Sequence, residues 1–337
     1  MILDIVWVLI QIVLILTPLM LCVAYATWGE RKVIGHMQVR MGPMRVGPHG
    51  LLQPIADGIK LFFKEDIIPS EADKPVFYIA PVIALLAAMS SMAVLPFFRG
   101  YALADINIGL LYILALSSIG AYGIILAGWA SNSKFSFLGS LRSSAQVISY
   151  EVAMGLSLVG VMIQAESLNL NDIVMSQGSM PWQWNIFPQI IGAFVFFMAA
   201  LAETNRSPFD LPEAESELVA GYFTEYSGFR FSIFFIAEYL GMFMMAILGA
   251  TCFMGGWSGP GDHIAIVSLM WLMLKVGLFV FIYYWIRATL PRFRYDQLMD
   301  FGWKVMIPLA LLNIVIIATY KVFDKYEFIG SLLKAIQ

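Results

Sequence analysis

Charge is scarce in this chain. Only 13% of its 337 residues are Asp, Glu, Lys or Arg, about half the share of an ordinary soluble domain, so a water-soluble globular class is excluded first. Neither sign dominates. The formal net charge is −3 and the isoelectric point about 5.6, which gives no basis for nucleic-acid binding. Cysteine is nearly absent: Cys22 and Cys252 lie in apolar runs, without metal or redox spacing. Each is expected to be a small buried core residue. The three histidines, His36, His49 and His263, are too scattered to suggest a metal site. A basic flank ahead of the first apolar run is missing and Asp4 lies near its start, so that run is expected to be kept rather than removed as a signal peptide. Repeats, low-complexity tracts and a soluble domain are also lacking, which leaves one polytopic membrane domain over 1–337.

What is present is hydrophobicity, 60% of the residues. A hydrocarbon core of about 30 Å takes about 20 apolar residues in a helix. Eight such runs occur, at about 3–25, 76–97, 106–129, 141–164, 187–202, 231–254, 263–286 and 303–322. The fifth is short, opened by Pro188 and closed by Glu203. The expected fold is an all-α integral membrane protein of about eight transmembrane helices with long inner-side loops. Alternate loops collect 15 of the 20 Lys and Arg, so those loops are expected on the cytoplasmic side, or the equivalent matrix side, with both termini opposite. Within loop 26–75, GPMRVGPHG (42–50) is turn chemistry. The following LLQPIADGIKLFFKED carries Leu52, Ile55, Ala56, Ile59 and Phe63 at helical spacing, which predicts a short amphipathic helix at the interface.

Glu151, Glu238 and Lys275 are ionisable residues that fall inside predicted spans, away from their ends. Each costs at least about 2.5–3.5 kcal/mol at a bilayer centre on insertion scales. An interhelical ion pair or hydrogen bond is the plain explanation, yet two acids face one base, so at least one acid lacks a partner in this set. Burial without a partner favours the neutral carboxyl, and such a group can accept and release protons. The stretch AETNRSPFDLPEAESELVAG (202–221) adds Glu203, Asp210, Glu213, Glu215 and Glu217, with Glu225 shortly after and Arg206 the sole nearby base. Pro208 and Pro212 break the preceding helix. Asp210 and Glu213 fit a capping box. Glu213 and Glu217 would share a helix face, a repulsive spacing. Apolar Phe209, Leu211, Leu218, Val219 and Phe223 predict that the loop folds back into the bundle. Carboxylates crowded there form a coupled set able to store and pass protons.

Four long stretches resemble one family: WGERKVIGHMQVRMGPMRVGPHGLLQPIADGIKLFFKEDIIPSEADK (28–74), GWASNSKFSFLGSLRSSAQVISYEVAMG (128–155), AETNRSPFDLPEAESELVAGYFTEYSG (202–228) and RATLPRFRYDQLMDFGWK (287–304). It is a family of membrane subunits of proton-pumping NADH:quinone oxidoreductase (respiratory complex I), the one whose mitochondrial members are called subunit 1. The resemblance runs in order over nearly the whole chain. It implies an eight-helix translocase component with no covalently bound cofactor, no redox centre and no metal. NADH, FMN and the iron–sulfur clusters would lie in partner subunits, and ubiquinone would bind at the interface. The implied partners are the quinone-site iron–sulfur subunit, a 49 kDa-type subunit, small membrane-arm subunits and membrane lipids. By resemblance, Glu30 and Arg31 after the first span, Asp57 and Lys60 on the amphipathic helix, and Arg287 on the last inner loop line or flank a quinone chamber. Arg206, Glu215 and Glu225 belong to the acidic loop beside it. Glu151, Glu203, Asp210, Glu213, Glu217 and Glu238 match a chain of carboxylates that carries coupling toward proton translocation. The alternative implied family is the related membrane subunit of hydrogenase-type complexes. A self-sufficient ion transporter would be expected to show an inverted repeat, and a purely structural anchor would not need intramembrane acids. The implied location is a bacterial plasma membrane, with the mitochondrial inner membrane as the alternative.

Overall fold

The computed structural model describes residues 2–211 and 219–325. The protein is an all-α integral membrane protein with no named strand among the described residues. Its helices are α1 (Ile2–Met37), α2 (Gln53–Phe63), α3 (Lys74–Ser91), α4 (Gly109–Ala130), α5 (Lys134–Ala165), α6 (Leu170–Met175) and α7 (Ile190–Glu203). After the loop come α8 (Gly228–Phe253), α9 (Ala265–Thr289), α10 (Tyr295–Phe301) and α11 (Ile307–Lys325), the last two joined by a π-helical turn, Gly302–Met306. Among the described residues seven helical runs are long and apolar enough to cross a membrane: α1, α3, α4, α5, α8, α9 and the run from α10 into α11.

The expected fifth span differs from the rest. As α7 it has 14 residues, about 21 Å at 1.5 Å per residue, well short of a roughly 30 Å hydrocarbon core. Both of its ends carry buried or half-buried polar side chains, Gln189 and Glu203. Other boundaries shift because helices outrun their apolar stretches. The 36 residues of α1 carry it past the predicted end at 25, so Glu30 and Arg31 sit on its final turns rather than after it. Arg287 likewise lies in the last turn of α9, not on a loop.

The amphipathic helix forms as expected. Gln53–Phe63 has no buried residue, and Leu52, Ile55, Ile59, Phe62 and Phe63 are exposed along its apolar side. Cys252 is buried but Cys22 is exposed, against expectation. Helix α1 lies at the bundle edge, where apolar side chains such as Leu14 and Leu21 also face outward. An apolar neighbourhood in sequence is therefore not a buried one in a protein whose exterior is apolar.

Small residues set the helix spacing. A Cβ on Gly123 of α4 would lie 2.9 Å from Ala84 Cβ and 3.0 Å from the Ala80 carbonyl oxygen of α3. Close backbone approach of this kind drives helix association where lipid removes the hydrophobic contrast. One turn earlier Gly120 is looser: its Cβ would meet Ala87 Cβ at an ordinary 3.7 Å. Gly123→Val is expected to lower membrane abundance and the temperature of thermal inactivation, whereas Gly120→Ala leaves both at or slightly above wild type. Quantitative blotting after a heat series checks the contrast, and equal effects of the two variants would refute it.

Candidate functional site: a buried guanidinium between two carboxylates

The loop after α7 turns back into the bundle, with Phe209 and Leu211 buried beside Arg206. One side chain holds this turn in place. Gln146 of α5, fully buried, donates from Nε2 to the carbonyl oxygens of Ala202 and Phe209, each at 2.8 Å. Phe209 packs between Tyr150 and Phe293, with ring centroids 5.7 and 5.8 Å away. The loop after α9 is fastened to the same turn: the Phe293 amide donates to the Pro208 carbonyl at 3.2 Å, and Arg292 pairs with Asp210 at 3.0 Å.

Arg206, 3% exposed, projects from this turn between two helices. Its Nη1 donates to Glu30 Oε2 of α1 at 2.7 Å, and its Nε lies 2.9 Å from Glu238 Oε1 of α8. The Tyr239 hydroxyl donates to Glu30 Oε2 at 2.7 Å, and the Tyr239 ring lies 4.2 Å from the guanidinium. Arg287 of α9 pairs with the other Glu30 oxygen. Two cations and two anions thus close on one another. Burial opposes the charge on Arg206, but Glu238 and then Glu30 outweigh it and hold its pKa well above the usual arginine value. Within the set Glu151, Glu238 and Lys275 neither acid pairs with the base, and the partner of Glu238 is Arg206 from outside that set. Lys275 pairs with neither acid. Its Nζ donates to the Gly256 and Ser258 carbonyl oxygens at 2.8 and 2.7 Å and sits 4.3 Å from the Trp184 ring, clamping the loop after α8.

A cavity of about 100 Å³ opens beside this cluster, lined by Ser117, Glu203, Thr204, Asn205 and Glu238. That is room for several water molecules. Glu151 of α5 accepts from Ser117 Oγ at 3.2 Å and Ser118 Oγ at 3.0 Å, both on α4. Glu203 ends α7 close enough to Glu151 for their charges to interact, and its Oε2 is buried without a hydrogen bond among the described residues.

The remaining expected residues fall around this centre. Arg31, next to Glu30, donates to Asp57 of α2 at 2.9 Å, and Lys60 lies 3.8 Å from the same carboxylate. Glu225 is half-buried before α8, with no side-chain bond among the described residues. Glu213, Glu215 and Glu217, with the Asp210–Glu213 capping box and the Glu213–Glu217 repulsion, lie outside the described residues. Sequence reasoning missed Tyr239, Ser117, Ser118 and Gln146 as site residues. A paired serine and an amide inside apolar runs are the signals that could have marked three of them. Arg230, an inner-loop charge by sequence, is 3.0 Å from Asp66 and 3.9 Å from the Tyr78 ring, joining loop 64–73 to α8. Among the described residues no group of three or more His, Cys, Asp and Glu is placed to hold a metal.

Removing one partner of a buried pair costs about 3–5 kcal/mol, and an exposed pair is worth about 0–1 kcal/mol. Arg206→Met is therefore expected to abolish accumulation of the chain in membranes, while Arg31→Met, at the exposed Asp57 pair, leaves it near wild type. Native-gel abundance distinguishes them, and wild-type levels of Arg206→Met would show that the buried pair is dispensable. Gln146→Leu leaves two buried carbonyls without their donor, at about 1–3 kcal/mol each. Its expected result is thermal inactivation several degrees lower, with Gln146→Glu failing to restore it fully, because even a neutral carboxyl offers one O–H where the amide offers two N–H donors.

Comparison with known proteins gives the same family as the motifs. A family model described as NADH dehydrogenase matches residues 10–318. The chain is 53% identical over 317 residues to the H subunit of NADH-quinone oxidoreductase from Rickettsia peacockii (strain Rustic), covering 93% of each chain. It is 53% identical over 320 residues to the protein of that name from Rickettsia bellii (strain OSU 85-389), covering 94% of each. Over 313 residues it is also 53% identical to that of Rickettsia prowazekii (strain Madrid E), covering 92% of each. These relatives carry the name of the quinone enzyme, not of a hydrogenase. With its membrane-spanning helices and a match over 93% of the Rickettsia peacockii relative, the chain belongs to the family of H subunits of NADH:quinone oxidoreductase, membrane components of respiratory complex I.

Proposed function

We propose that this chain forms much of the quinone-binding chamber where the membrane and peripheral arms meet, and couples quinone reduction to proton translocation through its buried carboxylates. The observation that carries the reading is the double pairing of Arg206. One guanidinium bonds Glu30, which the resemblance assigns to the chamber, and pairs with Glu238, which it assigns to the coupling path. Arg287 and the Arg31–Asp57–Lys60 group extend the chamber side. Glu203 and Glu151 extend the other side along the cavity. By resemblance Glu215 and Glu225 go with the chamber, and Asp210, Glu213 and Glu217 with the coupling path.

Quinone reduction takes up protons as well as electrons, and the electrons would arrive from iron–sulfur clusters in partner subunits. A proton taken up by Glu30 neutralises its carboxylate and weakens its hold on Arg206. The guanidinium then balances Glu238 more fully, and the charge seen by Glu203 and Glu151 changes in turn. Opposite charges about 4 Å apart interact by about 4 kcal/mol at an effective dielectric of about 20. Moving one proton against 100 mV costs about 2.3 kcal/mol. One change of partner at Arg206 is therefore large enough to gate a proton step. In this reading the basic loops face the cytoplasm of a bacterium, both termini face the periplasm, and the apolar side of α2 rests in the lipid interface beside the chamber.

Glu203→Gln keeps the volume and removes the proton-carrying carboxyl. With the complex assembled, NADH:quinone electron transfer and proton uptake are expected to fall at least severalfold together, while NADH oxidation with a water-soluble acceptor stays at the wild-type rate. Wild-type electron transfer and pumping in this variant would overturn the coupling role of the cavity carboxylates.

A further inference from the structure

At the end of the bundle opposite Arg206, three helices meet around a polar spot that the coupling reading does not use. Gln189, which precedes α7, is 0% exposed, and Asn313 of α11 is 2% exposed. Gln189 Nε2 is satisfied, donating to the Gly160 carbonyl at 3.2 Å and to Gln164 Oε1 at 2.6 Å, both on α5. Its Oε1 is not, and neither is Asn313 Nδ2: both are buried with no hydrogen bond among the described residues. One is an acceptor and the other a donor. Such groups are rarely left unpaired inside a protein, and ordered water is the commonest partner when no protein group reaches them.

Two glycines let both amides come close to the helix backbone. A Cβ on Gly160 would lie 2.7 Å from both Gln189 Oε1 and Asn313 Nδ2, and a Cβ on Gly192 of α7 would lie 2.7 Å from Asn313 Nδ2. The two unpaired atoms therefore lie within 2.7 Å of one common point. They are no more than twice that distance apart, a gap that one water spans with two ordinary hydrogen bonds. Gln164 leads from this spot toward the surface. Lys321 Nζ donates to its carbonyl at 3.1 Å and lies 3.3 Å from Glu166, a half-exposed and an exposed side chain at the helix ends. That polar edge gives water a way in.

We propose that Gln189 and Asn313, over the notch made by Gly160 and Gly192, form a binding site for a single buried water that ties α11 to the α5–α7 pair. The water accepts from Asn313 Nδ2 and donates to Gln189 Oε1. Because α7 carries Glu203 at its other end and α5 carries Glu151 near its middle, the site fixes the far ends of the two helices that hold these acids. It does not depend on the coupling reading, since any membrane protein packed in this way would need it.

The test is a cryo-electron-microscopy map of the whole complex in lipid, at a resolution that resolves ordered waters. The expected result is a density peak within hydrogen-bond distance of both amides, lost in the Gly160→Ala complex, where the added methyl occupies the notch. Asn313→Leu, which keeps a side chain of similar length without the donor, is expected to lose the peak as well. If Gly160→Ala does not assemble, the wild-type and Asn313→Leu maps decide. A wild-type map in which the two amides bond each other directly, or in which no peak lies between them, overturns the proposal, as does a peak that survives Asn313→Leu unchanged.

Discussion

A single buried guanidinium sets the arrangement of this bundle. Arg206 lies on an irregular turn, yet among the described residues it is the one base that pairs with both Glu30 and Glu238, which stand on α1 and α8. A charge in that position is tolerated only because both carboxylates, the Tyr239 ring and the Arg287–Glu30 pair enclose it. Neutralising any one member leaves an uncompensated charge in a poorly solvated place. The turn must therefore be held accurately, and the neighbouring architecture does this. Gln146 bonds two of its carbonyls, Phe209 wedges it between two rings, and the loop after α9 hydrogen-bonds to it.

The short α7 gives the bundle its polar interior. A helix of about 21 Å cannot span the hydrocarbon core, so both ends fall where other helices must supply hydrogen-bond partners. At one end Glu203 faces Glu151 beside a cavity of about 100 Å³. At the other, Gln189 reaches Gly160 and Gln164. The full-length helices α3 and α4, brought close by Gly123 and by alanines on α3, line the cavity at the Glu203 end. An interior of this kind lets the Arg206 cluster and the cavity carboxylates act on one another electrostatically without bulk water between them.

Much of the candidate site was legible as a set of residues and little of it as a geometry. Glu30, Arg206 and Arg287 stand out in the motifs and Glu238 as a charge inside an apolar run, but the resemblance divides them between a chamber and a relay, and the sequence sets Lys275 against the acids as their possible base. The structure joins the four into one cluster and places Lys275 among backbone carbonyls. Tyr239, Ser117 and Ser118 escape notice in the sequence because a hydroxyl in an apolar helix has no charge to draw attention to it. Cys22 is misplaced by sequence for a related reason. Hydropathy reports preference for an apolar surrounding, and lipid satisfies that preference as well as a core does.

By itself the sequence determined the class, the number and approximate position of the apolar helices, the interfacial helix at Gln53–Phe63 and the family. Each of these rests on local information: run length against bilayer thickness, spacing within one helix, and long contiguous motifs. The tertiary structure alone decided the partners. Arg206 and Glu30 are 176 positions apart in the chain, and Arg287 and Glu30 are 257 apart. Contacts at such separation are set by which helix faces meet, and that depends on where small residues permit close approach and where buried charge must find its opposite.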